Sequence, residues 1–91
     1  MSNILPTQNT GETQSVQGFI EFMVKAIVTE PTGVMVEQNM NSFDETYVIH
    51  VSATDMGILI GKGGKNINAI RNLISIKSAG KKIFIQAAEI V

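Results

Sequence analysis

Apolar positions recur along this 91-residue chain in two periods, and the places where one period gives way to the other mark its elements. From Ser15 onward, Val16, Phe19, Ile20, Met23, Ala26 and Ile27 follow the three- and four-residue spacing of an amphipathic helix. Ser15 is placed to cap its start, and Pro31 to end it, because the residue before a proline is pushed out of the helical region. Gly18, Val24 and Val28 weaken this helix intrinsically, so packing of its stripe must hold it. Over 34–39 and 46–51 the runs are β-rich and alternating, separated by the polar segment 40–45, which predicts a hairpin. Tyr47, Ile49 and Val51 share one face of the second strand, leaving Val48, His50 and Ser52 on the other.

Ser52 to Asp55 reads S-x-x-D ahead of an apolar run, a capping-box signature that starts a short helix ending at Gly61. A longer helix runs from about Lys65 to Lys77, with Ile67, Ile70, Leu73 and Ile74 as its apolar positions. Ala79-Gly80 stops it, Gly80 being suited to the left-handed conformation that follows many helix ends. Residues 82–88 read as a last strand with Ile83, Ile85 and Ala87 on one face. The element order is α-β-β-α-α-β. Residues 1–14, rich in Asn, Thr, Gln, Ser and Gly, carry too few apolar side chains to offset the entropy of ordering them and are expected to form a disordered tail ahead of a single domain spanning 15–91.

Between the two later helices lies Gly61-Lys62-Gly63-Gly64. Three of these four residues lack a Cβ, so the corner admits backbone angles closed to other residues and lets something bulky lie against the main chain. The helix that begins there turns its free amides and positive dipole end toward the corner, and Lys62 and Lys65 add two mobile positive charges. A phosphodiester backbone fits that description. A plain helix-helix turn would need the glycines but not the lysines. A P-loop does not fit, since Gly57 and Gly61 are one residue too close and Gly63 follows Lys62; nor does the dinucleotide fingerprint, whose third glycine would fall at Asn66.

The run I-G-x-x-G with I-x-x-I-R after it resembles the K-homology (KH) domain, whose GxxG loop clamps about four nucleotides of single-stranded nucleic acid. Asp55 to Lys65, D-M-G-I-L-I-G-K-G-G-K, is similar more narrowly to the small bacterial single-KH proteins of the KhpA type, and the likeness covers roughly residues 16–91. It implies an α+β fold of KH type II, with three helices covering one face of a three-stranded mixed sheet. It also implies single-stranded RNA as ligand, an RNA-chaperone role in post-transcriptional control, a cytoplasmic location, and assembly as a homodimer or as a heterodimer with a larger KH-containing protein of the KhpB type. The longer, acid-bearing N-terminal half departs from the shortest members of that family.

The net charge of −1 argues against a polyanionic ligand until it is divided along the chain. Residues 1–55 hold seven acids against Lys25, whereas residues 56–91 hold Lys62, Lys65, Arg71, Lys77, Lys81 and Lys82 against Glu89 alone. The positive half is the one with the glycine corner. With no cysteine and a single histidine, disulfides and thiolate metal sites are excluded, and nothing points to a cofactor. No apolar run approaches the roughly 20 residues of a membrane span, and the N-terminus lacks the features of a secretory signal. No catalytic partner for His50 stands at a recognisable spacing, so the chain reads as a binding protein and not an enzyme.

On the KH reading, Gly61, Lys62, Gly63, Gly64 and Lys65 hold phosphates, and Ile58 and Ile60 offer an apolar floor for bases or belong to the core. Asn66 and Asn68 meet phosphates and base edges or form a solvated first turn. Arg71 reaches phosphate or braces the fold. Lys81 and Lys82, in the variable loop before the last strand, face the groove or are simply solvated. No aromatic residue is adjacent in sequence to the corner, so recognition rests on backbone clamping rather than a stacking platform. Two further readings are a dimerising protein-interaction scaffold with incidental nucleic-acid binding, and single-stranded DNA as the ligand.

Overall fold

The β-rich hairpin and the final strand come together around β2. In the computed structural model, which describes residues 15–40, 45–79 and 81–90, β1 (Met35–Met40), β2 (Glu45–Val51) and β3 (Ile83–Glu89) form one sheet in the order β1-β2-β3. β1 runs antiparallel to β2, with Val36 opposite Ile49 and Gln38 opposite Tyr47. β3 runs parallel to β2, with Tyr47 beside Ile85 and Ile49 beside Ala87. A parallel neighbour requires a crossover of a dozen or more residues, and two helices supply it: α2 (Ala53–Ile60) and α3 (Lys65–Lys77). With α1 (Val16–Ile27) they make three helices on a three-stranded mixed sheet, as the KH type II reading expects.

Strand parity decides which face the helices cover. Val36, Tyr47, Ile49, Val51 and Ile85 point the same way and join Ile20 and Val24 of α1, Leu59 of α2, and Ile70 and Ile74 of α3 in one buried cluster. Burial at roughly 25 cal/mol per Å² of apolar surface makes these ten side chains the main stabilising term. The opposite face carries the rows Asn39–Thr46–Phe84, Glu37–Val48–Gln86 and Met35–His50–Ala88. No helix covers it. There His50 Nε2 lies 3.0 Å from Glu37 Oε1, a cross-strand polar pair.

The end of α1 and the strand limits differ from the sequence reading, whereas α3 spans Lys65–Lys77 as read. α1 ends at Ile27, with Val28 already extended, so the stop precedes Pro31, which instead opens a single 3₁₀ turn at Pro31–Gly33. The residue after the C-cap of α3 that takes the left-handed conformation is Ala79, with φ +57°, one position before Gly80; Gly80 itself lies outside the described residues. So do the expected tail, the hairpin turn 41–44 and Val91. The strands begin or end one residue away from their expected limits. None of the described helices is long and apolar enough to cross a membrane.

Candidate nucleic-acid interface

The corner is a set of three left-handed glycines. Ser52 caps α2 by accepting from the Asp55 amide, and the helix runs to Gly61, whose N–H still donates to Gly57 O at 2.8 Å. Gly61 (φ +76°), Gly63 (φ +66°) and Gly64 (φ +81°) then reverse the chain through one 3₁₀ turn, closed by Gly64 N–H to Gly61 O at 3.1 Å, into α3. L residues with a Cβ rarely occupy this region. At Gly61 space forbids one as well: a Cβ would sit 2.8 Å from the Asn66 main-chain nitrogen and 2.7 Å from its Cγ. At Gly63 nothing lies within 4 Å of where a Cβ would be, so that side of the loop is open.

Asn66 explains the tight fit. Its Nδ2 donates to Ile58 O at 2.7 Å, tying the first turn of α3 to the last turn of α2 and fixing the angle between them. The side chain is thus committed to the corner's geometry rather than offered to a ligand. Asn68, two residues on, accepts from Arg71 Nη1 at 2.9 Å while staying exposed. Arg71 Nη2 also donates to Ile85 O on the sheet edge at 3.0 Å. Arg71 therefore braces α3 against β3, and its guanidinium keeps further donors.

Beyond Arg71 an open cleft of about 370 Å³ is lined by Arg71, Ser75, Lys81, Lys82 and Ile83. Lys81 is held by Glu45, Nζ to Oε1 3.1 Å, and the same carboxylate accepts from Gln38 and from the Tyr47 hydroxyl. Burial, then the Glu45 charge, raises the Tyr47 pKa above its ordinary value, so it remains a donor at neutral pH. Lys82 Nζ stands 5.5 Å from the centroid of the Phe84 ring. Lys62 and Lys65 are exposed and make no ion pair or side-chain hydrogen bond with another described residue. Ile58 and Ile60 are half-buried, outside the cluster built on Leu59.

The structure thus gathers Gly61, Lys62, Gly63, Gly64, Lys65 and Asn68 at one end of α3, with Ile60 at the entry to the corner. Asn68 links that end to Arg71, and Arg71 to the cleft of Lys81 and Lys82. Sequence reasoning missed Asp55 as a brace of this site. Its buried carboxylate accepts from Thr29 N at 2.9 Å, Thr29 Oγ1 at 2.7 Å and Glu30 N at 3.0 Å, which pins the segment after α1 to the N-terminus of the helix that carries the corner. Those bonds, led by the Thr29 amide, hold the Asp55 pKa below its usual value. The motif held one clue: a capping box normally carries Glu or Gln at its fourth position, and aspartate is a methylene shorter.

Residues 17–85 match the family model described as KhpA/KhpB, KH domain. Similar proteins include the RNA-binding protein KhpA of Mycobacterium leprae, 34% identical over 56 residues that cover 62% of this chain and 70% of that protein. The RNA-binding protein KhpA of Chlamydia pneumoniae is 32% identical over 56 residues, 62% of this chain and 72% of that one. That of Leifsonia xyli is 27% identical over 67 residues, 74% and 88% of the two chains. The family match spans the glycine corner, both helices that meet there, β1, β2 and the start of β3, and the chain belongs to the KhpA/KhpB KH-domain family.

Proposed function

We propose that this protein binds single-stranded RNA, holding its backbone at Gly61–Lys65. The observation that carries the reading is the corner itself: three left-handed glycines open on the Gly63 side, at the N-terminus of a 13-residue helix, flanked by two lysines that the described fold leaves unpaired. Helix N-terminal amides and lysine charge both favour phosphate. The relatives named RNA-binding protein KhpA support RNA over DNA. Half-buried Ile58 and Ile60 would border the bases, and Arg71 and Lys82 would continue the positive line past the corner. Likeness to the family extends the reading to an RNA chaperone in post-transcriptional control, in the cytoplasm and without catalysis.

Anisotropy titration of a labelled single-stranded RNA of mixed sequence tests this, comparing the native protein with a Lys62→Ala/Lys65→Ala variant. Each phosphate contact contributes about 0.7 to the magnitude of the log affinity against log salt slope for single strands, so losing both contacts lowers that magnitude by about 1.4. An unchanged slope and affinity would refute the clamp. A matched DNA oligomer as competitor decides between the two nucleic acids.

A second reading rests on a different surface. Phe22 (61% exposed), Ile27, Leu73 and Ile76 (76% exposed) form an apolar strip on the outer sides of α1 and α3, and Phe22, Ala26, Ile27, Ala69 and Leu73 line a shared groove of about 340 Å³. Such a strip suits a protein contact. It supports assembly as a homodimer or with a larger KhpB-type protein, either beside RNA binding or as the main role of the domain. Sedimentation across micromolar concentrations, together with a pull-down for a mixed complex, checks it; a strict monomer with no mixed complex removes it.

A further inference from the structure

An aromatic residue close to the basic cleft stands on the sheet face that none of the described helices covers. Phe84 is 41% exposed and belongs to the outward row of β3, opposite in parity to Ile83 and Ile85. Lys82, two residues earlier on the same side of the chain, lines the cleft with Arg71 and Ser75 and also places its ammonium 5.5 Å from the centre of the Phe84 ring. It therefore stands at the lip between the helix side of the edge strand and the open side. From Asn68, close to Gly64, the line continues through Arg71, which donates to Asn68, and across the cleft that Arg71 and Lys82 both line, to Lys82 over Phe84.

We propose that RNA longer than the clamped segment crosses this lip and stacks a base on Phe84. The proposal rests on the RNA reading of the corner and extends its footprint. Three features favour it. The path is positively charged, which suits a phosphate chain leaving the groove. The ring sits on β3, 41% exposed, on the face that none of the described helices covers. Lys82 lies over the ring, and an exposed lysine–ring contact is weaker than base–aromatic stacking, so a base can take the ring while Lys82 turns to the adjoining phosphate. Stacking also tolerates any base, as a chaperone-like binder of varied RNA requires.

The test compares a tetranucleotide with a heptanucleotide of RNA, titrated into the native protein and into Phe84→Leu, which keeps an apolar side chain on the strand and removes the ring. The expected result is equal tetramer affinity for the two proteins and a heptamer affinity about fivefold or more weaker for Phe84→Leu, the loss of one base stack. A heptamer carrying 2-aminopurine near one end or the other is expected to lose fluorescence on the native protein only, at one of the two positions. Equal heptamer affinity, or equal quenching on both proteins, overturns the stacking site and leaves the clamp standing. Equal loss of tetramer and heptamer would assign Phe84 to the fold. No tetramer binding by the native protein would overturn the clamp, and the stacking site with it.

Discussion

At the residue scale the glycines of the corner are not interchangeable, and their difference is measurable. Gly61 combines φ +76° with a neighbouring main-chain nitrogen 2.8 Å from any added Cβ. Gly61→Ala is expected to cost more than about 2 kcal/mol of stability in urea unfolding, from left-handed strain plus an overlap that only movement of α3 relieves. Gly63→Ala, with the same sign of φ but open space, is expected to cost only about 1 kcal/mol. Ala79 inverts the argument. It holds φ +57° without being glycine, so Ala79→Gly should stabilise by about 0.5–1 kcal/mol, the relief of strain exceeding the added chain entropy.

Element by element, local chemistry was legible and long-range chemistry was not. The periods of α1, β2 and α3, the Ser52 cap and the stop at Gly61 depend on neighbours within a turn or a strand, and they sit where the apolar pattern placed them. The family resemblance told where the glycine corner stands on the fold. What escaped reading joins residues far apart in sequence: Asp55 with Thr29 and Glu30, Arg71 with Ile85, Lys81 with Glu45. No periodicity encodes a carboxylate crossing to another loop. Asn66 was readable as polar and near the corner, but its bond to Ile58 O depends on the angle between two helices, which the glycines set.

Asp55 also links the anchoring of α2 to pH. Its pKa is lower in the folded protein than in the unfolded chain, so its contribution to stability is present above the ordinary carboxylate range and is lost as pH falls through the depressed folded value. Asp55→Asn removes one acceptor oxygen and sets an NH₂ against the main-chain donors that the carboxylate now satisfies. The variant is expected to unfold at lower urea than the native protein at pH 7, and its midpoint should fall less steeply on acidification. Parallel acid profiles for the two proteins would show that Asp55 is not the titrating group.

On the scale of the whole molecule, charge and apolar surface divide between two sides. The corner, Arg71 and Lys82 hold the basic side, while Phe22, Ile27, Leu73 and Ile76 hold the apolar strip on α1 and α3. If that strip is the assembly surface, Leu73→Asp, at a site already 45% exposed, keeps the fold and shifts the protein toward monomer in sedimentation, with a tetranucleotide bound as before. A variant that assembles like the native protein would move the contact elsewhere, to the open face of the sheet.

The most direct test of the RNA clamp follows every backbone amide by two-dimensional nitrogen–proton NMR while a single-stranded RNA tetramer is added. The largest shifts are expected at Gly61 to Asn68, with smaller ones at Lys81 and Lys82. In a Gly63→Asp variant, which sets a carboxylate in the open space beside the loop, the free spectrum should remain that of a folded domain and the shifts should vanish. Shifts confined to α1 and the outer side of α3, or equal in the two proteins, would contradict the account.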